Sequence, residues 1–268
     1  MKWNPTAFLM TCLFTVFSLS ASAQVKISAA DIGGTVNGAN GPEAGVWVIA
    51  ETNDLPTKFA KIVVTDDKGR FLIPELPSAN YQVWARGYGL IDSAKSTAKP
   101  GQSLTIKAVQ APTAKAAAQY YPGMYWYSMI NVPKASEFPG TGDKGNGIPE
   151  VMQKQYYWVD TLKNSCQSCH AMGVRGIREV PELFTKKANG DSELAWAYRT
   201  QAGQAMANMA LGLGRMGPER TLSILADWTD RVAKGEVPFA KPSRPQGIER
   251  NAVYTSWNWS EAKYYLHD

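Results

Sequence analysis

Residues 153–170 read Gln-Lys-Gln-Tyr-Tyr-Trp-Val-Asp-Thr-Leu-Lys-Asn-Ser-Cys-Gln-Ser-Cys-His, two cysteines three positions apart with a histidine directly after. Residues 153–162 are a helix candidate leading into Cys166 and Cys169. The third cysteine, Cys12, lies in an apolar run, residues 7–19 (AFLMTCLFTVFSL), behind the positive Lys2. Ala21-Ser22-Ala23 then offers small residues at cleavage positions, so residues 1–23 are predicted to be a removable export leader with Gln24 as the mature start. Cys12 sits midway in that run, not at its end, which argues against a lipid-modified cysteine. No later stretch is long and apolar enough to cross a bilayer. Export leaves Cys166 and Cys169 as the whole cysteine complement, so the chain has no disulfide framework.

Cys-x-x-Cys-His is the attachment pattern of a c-type haem. Two thiols must reach the two vinyl groups on one porphyrin edge to form thioethers. The next residue must then bring an imidazole nitrogen to the iron. Three other readings compete. A thioredoxin-type redox pair should open a helix after a strand in a βαβ unit, and none is visible. A zinc site needs four ligands, and the chain has 2 His. A plain disulfide would close a very small loop. The single motif predicts one covalent haem, held by Cys166 and Cys169 with His170 as proximal iron ligand.

The pattern downstream resembles a small cytochrome c domain, in which the motif follows a first helix and a methionine-bearing loop precedes a closing helix. Residues 192–209 read as a middle helix, with Leu194, Ala197, Tyr198 and Gln201 on one stripe. Residues 211–218 (LGLGRMGP) read as a Gly-rich break, and residues 219–234 as the closing helix, with Leu222, Leu225, Ala226, Trp228 and Val232 repeating at helical period. The resemblance places the distal iron ligand at Met216. Met206 and Met209 are alternatives, equally readable as flexible filler, His267 would give a bis-histidine iron, and an open iron is a further option. Met172 is too close to His170 to reach the opposite face. Arg175 and Arg178 are candidate contacts for the haem propionates, or solvated loop charges. Trp196 and Trp228 are expected to pack on the ring edge.

Residues 24–111 have a different rhythm. Short β-branched and aromatic runs at 45–50, 61–65, 70–73, 81–85 and 103–109 are separated by turn signals such as Asp67-Lys68-Gly69 and Pro100-Gly101. They predict a small antiparallel sandwich. Gly34-Thr35-Val36, the run 41–48 (GPEAGVWV), the run 65–71 (TDDKGRF) and Leu76 through Tyr81 to Val83 resemble a carboxypeptidase regulatory-like domain. That is a transthyretin-like, carbohydrate-binding-like fold of usually accessory role, some relatives of which bind glycans. No paired catalytic carboxylates or nucleophile stand out, and Asp66 and Asp67 read as turn formers.

Residues 112–149 are read as a linker with an aromatic cluster (Tyr120, Tyr121, Tyr125, Trp126, Tyr127), expected between the domains or over a haem edge. Its Gly-rich part, 140–147, has the oxygen-rich flavour of a calcium loop but lacks the EF-hand pattern. The haem domain is assigned to 150–237, and 238–268 to a Pro-rich arm and a strand needing a partner. This order resembles bacterial exported proteins whose fuller members add a streptogramin lyase-like β-propeller.

The 44% hydrophobic and 19% charged composition excludes a disordered chain. Lys+Arg 28 against Asp+Glu 23 leaves a mild excess with no basic run, which speaks against nucleic acid. The expected fold is two-domain: an N-terminal all-β transthyretin-like sandwich followed by a mainly α cytochrome c-like domain. The expected role is periplasmic or secreted one-electron transfer to a redox partner protein, without catalysis of its own. The alternatives are a haem enzyme or the electron-accepting subunit of a dehydrogenase or propeller complex, and a glycan-binding or adhesion module with an accessory haem.

Overall fold

The computed structural model describes residues 26–257. The leader read at 1–23, His267 and the end of the C-terminal strand segment lie outside the described residues. The first part of the chain is sheet: β1 (Ile32–Gly38), β2 (Gly41–Pro42), β3 (Trp47–Thr52), β4 (Phe59–Val64), β5 (Arg70–Ile73), β6 (Tyr81–Arg86), β7 (Leu90–Ile91), β8 (Ser96–Ala98), β9 (Ser103–Lys107) and β10 (Val109–Gln110). The later part is helical: α1 (Ala114–Ala118), α2 (Gly123–Tyr127), α3 (Gln155–Leu162), α4 (Arg175–Arg178), α5 (Glu182–Lys187), α6 (Ser192–Thr200), α7 (Met206–Met216) and α8 (Pro218–Ala233), with a last strand β11 (Tyr254–Trp257).

Alternation builds the sheets. Val48 and Ala50 of β3, Val83 and Ala85 of β6, and Ile32 and Val36 of β1 point into one shared core with Phe71, Ile73 and Ile106. One sheet runs β11-β4-β3-β6-β8, a second runs β2-β1-β5 with β9 also on β1, and β10 pairs with β7 in a small third. The β1–β9 pair is parallel, Gly34 facing Leu104, which corrects the wholly antiparallel expectation. Gly34 makes this approach possible, because a Cβ there would stand 1.9 Å from the Leu104 carbonyl oxygen.

The linker reading of 112–149 does not describe its packing. Ala118, Trp126, Met129, Ile130 and Ile148 belong to the helical core together with Trp158, Leu162, Trp196, Leu225 and Trp228. Four buried indoles pin that core through their N–H groups. Trp126 donates to the Ala118 carbonyl (3.2 Å), Trp158 to Met216 (3.0 Å), Trp228 to Trp126 (3.0 Å) and Trp196 to the Thr229 hydroxyl (3.1 Å). Each thereby buries a large apolar surface without orphaning its polar atom. The cluster's outer members face the sandwich: the Asp92 N–H donates to the Tyr120 hydroxyl at 3.4 Å, Arg86 stacks on Tyr120, and Tyr88 meets Tyr121 edge-on at 5.9 Å. Loop 140–147 is organised by Asn146, whose Oδ1 accepts from the Thr141 and Ile148 N–H groups.

The arm returns to the sandwich. Arg244 donates to the Tyr88 carbonyl at 3.0 Å and pairs with the buried Glu43 at 2.5 Å. Arg250 pairs with Asp67, and β11 adds antiparallel to the edge of β4, Tyr254 opposite Ile62 and Trp257 opposite Phe59. The partner needed by the C-terminal strand is thus a strand nearly 200 residues earlier in the same chain.

Candidate functional site

The α3 helix does not end cleanly before Cys166. It runs into a π-helical turn, Lys163–Gln167, in which the Ser168 N–H donates to the Lys163 carbonyl at 2.9 Å. Such wide turns re-aim the residues that follow. The Cys169 and His170 N–H groups then both donate to the Cys166 carbonyl, at 3.3 and 3.0 Å, so the motif is one closed turn. Two close approaches hold it. Gly212 of α7 leaves room for Ser165, since a Cβ would lie 2.7 Å from that side chain. Gly173 packs backbone to backbone on α2, where a Cβ would lie 1.6 Å from the Gly123 carbonyl oxygen. Gln167 bridges the same elements: its Nε2 donates to Met124 Sδ (3.4 Å) and its Oε1 accepts from the Met172 N–H (2.9 Å).

Cys166, Cys169 and His170 all line a cavity of about 520 Å³. Its walls are mostly apolar: Met172, Val174, Ile177, Pro181 and Phe184 on the segment after the motif, Trp196, Arg199 and Thr200 on α6, Met209 and Leu213 on α7, and Leu225 on α8. Both cysteines are free thiols. Burial, and then the neighbouring Cys169, push the Cys166 thiol up to about 11. A thiol so raised is almost wholly protonated near neutrality, the reverse of an activated redox cysteine. Among the described residues no group of three or more His, Cys, Asp or Glu gathers as a metal site.

The other sequence candidates are dispersed. Met216 is fully buried in the helical core and is absent from the cavity wall. The Gly-rich break that was to present it is helical: 206–216 is one helix, and the chain breaks instead at 201–205 and at Gly217 (φ 89°). Met216 lies seven residues, ~10.5 Å, along α7 from Met209, and Met209 is the methionine of that helix on the wall. Met206 is exposed. Arg175 is exposed and paired with Glu179 at 2.9 Å. Arg178 is buried, donates to the Gly173 carbonyl (2.8 Å) and Gln119 (3.3 Å), and stacks on Trp126 at 4.1 Å, away from the cavity wall. Trp196 lines the cavity and Trp228 is pure core.

Arg199 was not singled out from the sequence, yet it lines the cavity. Its position one helical turn after Trp196 on α6 was the available signal. The stripe Met206, Met209, Leu213, Met216, spaced three and four apart, likewise marks 206–216 as helix despite its glycines.

No protein-family model matches the chain, and no curated protein matches it. Among solved structures, a chain of a type II cohesin-X-dockerin complex from Acetivibrio cellulolyticus is similar at 14% identity. The match covers 43% of this chain and 79% of that one with a TM-score of 0.25, too low to carry an argument. In the plain terms the structure supports, this is a chain with an N-terminal sheet-rich unit and a later helical unit that encloses a cysteine- and histidine-lined cavity.

Proposed function

We propose that the helical unit holds one covalent c-type haem and that the exported protein transfers single electrons to a redox partner protein. The observation that carries this reading is the opening of Cys166, Cys169 and His170 into one apolar cavity. The residues fit the group on two counts. The cavity's volume is in the range of cofactor sites, and the donor set is two thiols and an imidazole. Neither imidazole nitrogen of His170 has a hydrogen-bond partner among the described residues. The haem, when bound, supplies the Fe(III)/Fe(II) couple.

The chain's part follows from its own atoms. Cys166 and Cys169 would hold the group, each through a thioether made by adding its S–H across a vinyl double bond, with no leaving group and no net redox change. His170 would supply the proximal nitrogen. The apolar wall excludes water, which favours the less charged state of the centre. Met209, which lines the cavity, would serve as the distal ligand in place of Met216, which does not. The sandwich takes the accessory role of a scaffold that fixes the helical unit through the tyrosines of 120–125 and the returning arm.

The test is expression with the leader in a host that matures c-type cytochromes, followed by oxidised and reduced absorption spectra. A covalent low-spin haem with the weak red sulfur-to-iron band is expected. Met209→Ala should abolish that band, and Met216→Ala should keep it while lowering the melting temperature. Absence of covalent haem would overturn the reading. A high-spin ferric spectrum would replace the electron carrier with a haem that keeps an open coordination position, as an enzyme would.

A further inference from the structure

The cavity wall carries one permanently charged group. Of its lining residues only Arg199 is a fixed ion, and no Asp, Glu or Lys shares the wall. Arg199 Nη1 donates to the Ile177 carbonyl at 2.9 Å, and Nη2 donates to the Gly176 carbonyl. Its guanidinium carbon lies 4.9 Å from the centre of the Trp196 ring. These contacts hold the plane of the guanidinium rigidly beside two other wall residues, Trp196 and Ile177.

They leave it unneutralised. Arg199 has no carboxylate partner among the described residues. Two of its five N–H groups are used, and both go to neutral carbonyls. Partial burial pulls its pKa down, with no neighbouring anion to raise it again. Charges removed from water in proteins are normally paired, because desolvation costs more than neutral contacts return. Arg175, in contrast, already has Glu179. Arg178 is turned to Gln119, Gly173 and Trp126.

We propose that Arg199 is the fixed countercharge for a carboxylate of the bound cofactor, a haem propionate on the reading above. The assignment rests on that reading. A guanidinium matches a carboxylate in shape as well as sign. Its second consequence is electrostatic. An unneutralised carboxylate near the iron favours the ferric state, so Arg199 favours the ferrous one.

The experiment equilibrates the loaded protein with a redox dye of known potential and reads the ferrous-to-ferric ratio. Arg199→Gln should still carry covalent haem but hold a ratio about tenfold lower, which for one electron is about 59 mV. Arg199→Lys, keeping the charge, should stay within about threefold of wild type. Arg175→Gln should stay within about twofold. A ratio in Arg199→Gln within about twofold of wild type, or an equal fall in Arg175→Gln, overturns the assignment while leaving the haem reading intact. If Arg199→Gln does not accumulate as folded protein, Arg199→Lys decides, and a tenfold fall there overturns the proposal. A wild-type chain without covalent haem overturns both.

Discussion

The two halves of the molecule bury their apolar residues to different ends. In the sandwich, strands from two sheets send every second residue into one core, in which Ile32, Val36, Val46, Val48, Ala50, Ile73 and Val83 are fully buried. In the helical unit, four indoles and α8 build a comparable core, but the elements around residues 166–213 diverge to leave about 520 Å³ open. Close packing is the norm for protein interiors. The sandwich satisfies that norm with its own side chains, and the helical unit departs from it where Cys166, Cys169 and His170 line the cavity. The glycines carry the same lesson. In the sandwich, Gly34 lets two strands pair. In the helical unit, Gly173 and Gly212 bring α2 and α7 against the segment that holds Cys166.

The largest expected effect falls on the helical unit alone. Gly173→Ala sets a methyl 1.6 Å from the Gly123 carbonyl oxygen, a backbone atom that cannot move aside without displacing α2. The cost should reach or pass the ~3 kcal/mol upper range for overpacking. Calorimetry should show the helical unit's transition lost or strongly lowered and the sandwich transition retained. Loss of both transitions together would erase the distinction between the units.

The next effect tests the tie between them. Arg244→Ala leaves Glu43, whose side chain is 11% exposed, without its cation at 2.5 Å. Breaking a wholly buried pair costs about 3–5 kcal/mol, and partial exposure of Arg244 reduces this to about 1–2 kcal/mol. Limited proteolysis should cut 238–253 faster in the variant, with the sheets β1–β10 surviving. Unchanged cleavage would mean that β11 pairing alone holds the arm.

The smallest effect sharpens the sandwich side. Burial raises the pKa of Asp66, but the Arg70 side chain, the Arg70 and Lys68 N–H groups and the Arg70 charge outweigh it, leaving it below the ordinary 3.8. A depressed folded pKa means that the stabilisation is complete above the unfolded value and drains away as pH falls through the folded one. Asp66→Asn should therefore cost less than ~1 kcal/mol near neutrality, after solvent screening of a side chain 40% exposed. The gap to wild type in urea midpoint should shrink as pH falls below the ordinary 3.8 and through the lower folded value. A gap that persists there would place the effect in turn geometry and not in charge.

Much of the fold is legible in local pattern. The runs 61–65, 70–73 and 81–85 fall on β4, β5 and β6, and 219–234 on α8. Alternation and helical period are set by neighbours in the chain, so they can be read there. The misreadings share a cause. LGLGRM looks like a loop because glycine is a poor helix former. It is helical all the same, and Gly212 is small enough to let α7 approach Ser165. Residues 112–149 look like a linker because their helices are one turn long, yet Trp126 and Ile148 complete a core whose other members come from far along the chain.

The sequence by itself determined the residue types and spacing of the Cys166–His170 turn, because these depend on residues within a few positions of one another. Only the tertiary structure decided which methionine of α7 reaches the cavity, which arginine lines it, and which strand receives β11. Those depend on close approaches between segments tens to hundreds of residues apart, where a glycine or a buried pair settles the packing.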